Sequence, residues 1–127
     1  MRILCFFILI CAQIPAVAHH SFAAEFDDKQ PVTLDGTVVK FDFMNPHSWI
    51  YFEVKEEGGK TVQWSVEAAD PTALQRNGIK REDVRPGDLI KIRCHRLRDG
   101  SNGCLLGFVT PMHGDPARGH GIEKEWD

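Results

Sequence analysis

Two histidines stand directly behind a small-residue cleavage pattern, Ala16-Val17-Ala18-His19-His20-Ser21. Small residues at 16 and 18 are what a signal peptidase accepts, and the preceding segment has the other parts of an export signal. Arg2 supplies a positive start, Ile3 to Ile10 an apolar core, and Pro15 a break before the site. Cleavage after Ala18 would make His19 the first residue of the mature chain, its imidazole beside a free amine. Those two nitrogens can close a chelate ring on one metal ion. An imidazole from elsewhere adds a third nitrogen in a T-shaped set, a histidine brace. Amine and imidazole nitrogens in tetragonal geometry suit Cu(II), which also heads the divalent affinity order. A terminal amine is largely protonated near neutrality, so binding displaces a proton. His20 offers a competing mode through amine, backbone amide and imidazole, which any free peptide end could form. Ser21 at the third position excludes the stronger tail-type chelate.

His47 is the candidate for a ligand carried by the fold. It follows Asn45-Pro46 at the mouth of an apolar, branched segment, where a rigid turn fixes the direction of a side chain. The same residues also read as a plain turn whose histidine bonds a neighbouring backbone group. His113 and His120 lie in a solvated end rich in Gly, Pro and charge, and His95 reads as an outward-facing strand residue.

Of the four cysteines, Cys5 and Cys11 would leave with the signal; Cys94 and Cys104 remain, in a compartment that permits disulfides. If residues 98–100 form a three-residue hairpin loop with Gly100 left-handed, Leu97 pairs with Ser101 and Cys94 lies opposite Cys104. A bridge is then feasible with local twist. Other registers separate the two sulfurs. A disulfide, a pair of buried thiols, and a thiolate metal site with His95 are the readings open, and the spacing matches no zinc pattern.

Catalytic constellations are thin. Ser21, Ser48, Ser65 and Ser101 lie in no nucleophile elbow, and there is no Gly-rich phosphate loop. Asp27-Asp28 and Glu56-Glu57 are adjacent carboxylates, which in a strand face opposite ways and otherwise belong to solvated loop. Binding is therefore expected rather than catalysis. A brace-type redox enzyme ranks last, because so small a domain leaves little surface for a polymeric substrate. Phe41, Phe43, Trp49, Tyr51, Phe52 and Trp64 either form a binding face or fill the core.

The elements that must position these groups follow from periodicity. Val32 to Phe43 reads as a strand with Gly36 as a bend and Val39, Phe41 and Phe43 on one face, after a polar lead-in from His19 to Gln30. Trp49 to Lys55 and Thr61 to Glu67 are strands around the turn Glu57-Gly58-Gly59-Lys60. Asp70 to Gly78 is a short helix with a capping Asp, Pro at its first position and Asn-Gly at its end. Leu89 to Leu97 and Gly103 to Pro111 are two further strands. The chain is thus all-β with one short helix, and the order β-β-β-α-β-β predicts a small five-stranded OB-like barrel, with a small β-sandwich as the alternative. Residues 1–18 are the expected signal peptide, 19–112 one small domain, and 113–127 a flexible polar tail.

Without Arg2 the 15 Lys and Arg become 14, against 18 Asp and Glu, so the mature chain is mildly acidic. That argues against a nucleic-acid partner, which requires a basic face. The apolar run is too short to span roughly 30 Å of bilayer, so no membrane span is expected after processing.

His19 to Asp27, Val32 to Val38 and Asn45-Pro46-His47-Ser48-Trp49-Ile50-Tyr51, together with Trp64 to Glu67, Asp70-Pro71 to Gly78, Pro86-Gly87-Asp88 and Asp99 to Asn102, resemble a family of short exported bacterial proteins classed as a domain of unknown function (family 6152). The resemblance runs to about Pro111. It implies a periplasmic address and a small β-fold, and it brings no activity with it. Cys94, Cys104 and the tail with His113 and His120 depart from the family's pattern. The expectation is a periplasmic copper carrier or buffer with His19 and His47 as ligands and His20 as auxiliary. The competing expectation is a non-catalytic module for a sugar, a peptide or a partner protein in the periplasm.

Overall fold

A computed structural model describes residues 26–112, 117 and 121–126, with the backbone alone at 28, 30 and 106. The expected signal segment, His19, His20, His113 and His120 lie outside the described residues. In chain order the elements are β1 (Phe26–Asp42), β2 (Ser48–Lys55), β3 (Thr61–Ala68), helix α1 (Pro71–Arg76), a 3-10 turn (Arg81–Asp83), β4 (Leu89–Leu97), β5 (Gly103–Pro111) and β6 (Lys124–Glu125). Neighbours run β3-β2-β1-β4-β5, and β5 returns to pair with β3, so five strands close on themselves. The β3–β5 pairing is parallel and the others antiparallel. This is the OB-like barrel rather than the sandwich, closed in the way that removes most exposed edges.

Strand β1 makes the closure possible because it serves two neighbours. It is 17 residues long, beginning well before Val32. Its first part pairs with β4 and its last part with β2, and Thr37 stands opposite both Leu89 and Glu53. The crossing needs Gly36: a Cβ there would lie 2.5 Å from Phe52 Cδ2 and 2.6 Å from the Glu53 carbonyl. The stretch from Phe26 to Gln30, expected as a polar lead-in, is the start of this strand, and Phe26 is buried.

One residue later the strand carries a bulge. Val38 pairs with Phe52 and Lys40 with Tyr51, leaving Val39 over. The extra residue inverts the alternation. Val38 is buried and Val39 exposed, while Phe43 returns to the core. The expected face of Val39, Phe41 and Phe43 is therefore corrected to Val38, Phe41 and Phe43.

The barrel core is built by Ile50 and Phe52 of β2, Trp64 and Val66 of β3, Ile90 and Ile92 of β4, and Val109 of β5. Each such side chain contributes about 1.5–3 kcal/mol on burial. Leu74 of α1, with Ile79 and Val84 beyond it, covers one end of that core. Helix α1 starts where the sequence places it: the Asp70 carboxylate accepts from the N–H of Thr72 at 2.7 Å and of Ala73 at 3.1 Å. Pro71 occupies the first turn, where its missing N–H costs nothing, and Gly78 leaves with φ +74°.

The polar composition of residues 113–127 predicts a flexible tail, but the end of that segment is docked. β6 pairs with β5 through Phe108↔Glu125 and Val109↔Lys124. Trp126 is 1% exposed, with its ring 5.4 Å from Phe41. Arg93 pairs with Glu123 at 2.6 Å, and Lys124 Nζ donates to the Gly78 carbonyl at 2.8 Å. A single large aromatic anchors the stretch, and an average over its charged neighbours hides it.

Candidate functional site

His47 is the last residue before β2, and the Asn45–Pro46 bond ahead of it is cis. The β2–β3 ladder sets Ser48 opposite Ala68 and Trp49 opposite Glu67. From these positions the His47 Nδ1 lies against Glu67 Oε1. The imidazole is the open partner, with 55% of its side chain exposed against 17% for Glu67. A turn histidine bonded to backbone was the plain reading; a carboxylate from the next strand but one in sequence takes that place. In the neutral ring, Nδ1–H donates to the carboxylate and Nε2 keeps its lone pair. This is how protein histidines are held when they ligate metals: the carboxylate fixes the tautomer and raises ligand basicity. Glu67 was not singled out by residue type or spacing. Its only sequence signal is register, because a tight hairpin at Gly58-Gly59 puts it beside Trp49.

Beside the pair lies a cleft of about 160 Å³ lined by Phe26, Trp49, Ser65, Glu67, Leu97 and Cys104. Phe26 enters it from the start of β1, opposite Leu97 of β4. The cleft therefore joins Phe26, the first residue of β1, to the carboxylate that holds His47. The expected aromatic set divides in two. Phe43, Phe52 and Trp64 are core, and Phe41 packs against it. Trp49 and Tyr51 are half-buried on the outer face of β2, where Lys40 Nζ sits 5.6 Å from the Tyr51 ring centroid.

Cys94 and Cys104 are bonded to each other, with Cα atoms 5.7 Å apart. Their placement differs from direct opposition. The loop between β4 and β5 spans residues 98–102, with Gly100 at φ +78°, and the register sets Arg96 opposite Cys104 and Cys94 opposite Leu106. The longer loop moves the register by two, so the bond runs diagonally between two buried positions on the same face. His95 points away from the pair on β4, half-buried, and does not share a thiolate site with it. Glu56 and Glu57 are exposed turn residues.

Among the described residues there is no group of three or more His, Cys, Asp or Glu side chains that could hold a metal ion. His47 and Glu67 are a pair, and the other expected nitrogen donors, His19 and His20, lie outside the described residues. Among the same residues no helix is long and apolar enough to cross a membrane.

Residues 8–106 match a family of unknown function, DUF6152. The chain belongs to that family. The match covers the barrel up to the first half of β5 and stops short of the docked carboxy-terminal segment. None of the curated proteins matches. Among solved structures, the crystal structure of TiaS in complex with an isoleucine tRNA and ATP is similar at a TM-score of 0.44 and 19% identity, over 68% of this chain and 19% of that one.

Proposed function

We propose that the protein is a periplasmic copper-binding protein, a carrier or buffer of Cu(II), whose ligands are the amine and imidazole of a processed His19 together with His47. The observation that carries this reading is the Glu67 carboxylate on His47 Nδ1, which leaves Nε2 as the donor. Chain length allows the meeting. Phe26 follows His19 by seven positions, a tether of at most about 25 Å at roughly 3.6 Å per residue. Phe26 itself lines the cleft that Glu67 lines. His20 is an auxiliary donor next to that end. Two strong imidazoles and an amine give affinity, while an open, exposed ring lets the ion leave, as a carrier requires.

Export with cleavage after Ala18 is part of the proposal, since an uncut chain keeps the His19 nitrogen in a peptide bond. Titration of the processed protein with Cu(II), read by electron paramagnetic resonance, should count three nitrogen ligands, falling to two in His47→Ala. A mature terminus anywhere but His19 by mass spectrometry, or a His47→Ala protein that binds Cu(II) as tightly as the unaltered one, would overturn it. The small cleft with Trp49 and Phe26 on its walls favours, as a second reading, a non-catalytic module for a sugar or peptide. Trp49→Ala would then abolish ligand binding while leaving copper titration unchanged.

A further inference from the structure

We propose that Trp126 is a positioning residue for the His47–Glu67 pair, so that the docked carboxy-terminal segment sets the geometry of the imidazole. The proposal rests on the copper reading only for what the imidazole is used for; the positioning itself is independent of metal.

Strands β3 and β5 pair over three positions, from Ser65↔Gly103 to Glu67↔Leu105, and Glu67 is the last of these on β3. Beyond Glu67 the bridge between the two strands is Trp126. Its N–H donates to the Gly107 carbonyl at 2.9 Å, and its carbonyl accepts from the Ala69 N–H at 3.0 Å. Gly107 can receive it because it is the residue left over where the β4–β5 register shifts between Arg93↔Phe108 and Cys94↔Leu106. The Ala69 carbonyl in turn accepts from the Ser48 N–H at 3.2 Å. A backbone chain thus runs Gly107, Trp126, Ala69, Ser48, and His47 is joined to its last member.

The indole reaches the other end of that loop indirectly, through two rings. It lies 5.4 Å from the Phe41 ring, which lies 5.6 Å from Phe43. Phe43 and Ser48 bracket the loop that carries His47, and Trp126 is connected to both. Removing the indole leaves a void under one end of the loop. It also loosens the backbone that supplies Ala69 and Gly107 with partners at the other. A loop so released no longer holds the ring at the angle that Glu67 requires.

The test uses the full processed chain without metal, near pH 8, where a histidine ring is largely neutral. Nitrogen-15 spectra of the imidazoles, with His47 assigned by its loss in His47→Ala, should show one tautomer, protonated on Nδ1. Trp126→Ala should give a mixture of tautomers, and Trp126→Phe should restore the single form. Copper affinity should fall about tenfold in Trp126→Ala, the scale seen when support of a ligating histidine is lost, and not fall further when Trp126→Ala is added to His47→Ala. If Trp126→Ala does not fold, Trp126→Leu, which keeps an apolar side chain in the core but removes the ring that meets Phe41, carries the same test. An unchanged His47 ring in a folded variant of either kind overturns the positioning role. A changed tautomer with copper affinity indifferent to His47→Ala upholds the positioning role and sinks the copper reading instead.

Discussion

Glu67 Oε1 meets His47 Nδ1 across the mouth of the β2–β3 ladder, the exposed ring resting on a carboxylate that is itself mostly covered. A ligand histidine held in this way loses little freedom on binding and presents one defined lone pair. Glu67→Ala should therefore weaken Cu(II) binding by about tenfold, within the range found for such supporting carboxylates. Glu67→Gln should cost less, because its amide oxygen still accepts from Nδ1–H. Competition against a chromophoric copper chelator measures both, and equal affinity in all three proteins would remove Glu67 from the site.

Gly36 makes a prediction about the barrel itself. A methyl group there would meet the Phe52 ring and the Glu53 carbonyl at contact distances of 2.5 and 2.6 Å. Phe52 is fully buried and cannot swing aside. Gly36→Ala should destabilise by about 1–3 kcal/mol, the usual cost of overpacking. Urea unfolding followed by tryptophan fluorescence reads this directly, with an unchanged midpoint as the contrary result.

Much of this arrangement was legible in the residues, and the exceptions share a cause. Strand and helix order, the Asp70 cap and the bend at Gly36 are local, so composition and period reveal them. What escaped depends on partners distant in sequence. Val39 changes face because one unpaired residue shifts the pleat, and nothing in VTLDGTVVKFDF distinguishes it from Val38. Trp126 is core because β5 and Ala69 wait for it, although its neighbours Glu123, Lys124 and Glu125 are all charged. Likewise, Glu67 is a partner of His47 only through register. His47 itself was identified by a local feature, the Asn45-Pro46 turn, and that is why it stood out when Glu67 did not.

The diagonal bond between Cys94 and Cys104 closes a short loop, with a sequence separation of 10. Loop-closure entropy for that span is about 3 kcal/mol. A Cys94→Ser, Cys104→Ser protein should lose stability of that order yet keep the barrel, because β5 is also held by β3 and β6. Since neither sulfur is a proposed ligand, its Cu(II) titration should match that of the unaltered protein. Denaturant midpoints with and without reductant provide the first measurement. Loss of copper binding in the folded double variant would place the sulfurs in the site after all.

Acid should loosen the end of the barrel that α1 covers before it unfolds the rest. The Asp70 carboxyl is held below the usual carboxylate range by the hydrogen bonds from the Ala73 and Thr72 backbone. Asp99 is held down in the same sense by the Ser101 hydroxyl and N–H. A group whose value is depressed by folding stabilises above its ordinary range and loses that contribution as pH falls through its folded value. Stability should accordingly be level near neutrality and decline from about pH 5 downwards. Asp70→Ala should be less stable at neutral pH, and its decline on acidification should be shallower because the capping share is already gone. Leu74 is the buried residue of that short helix, so the amides of residues 72–77 should lose hydrogen-exchange protection first. Parallel acid curves for the two proteins would mean that the cap does not contribute to the pH dependence.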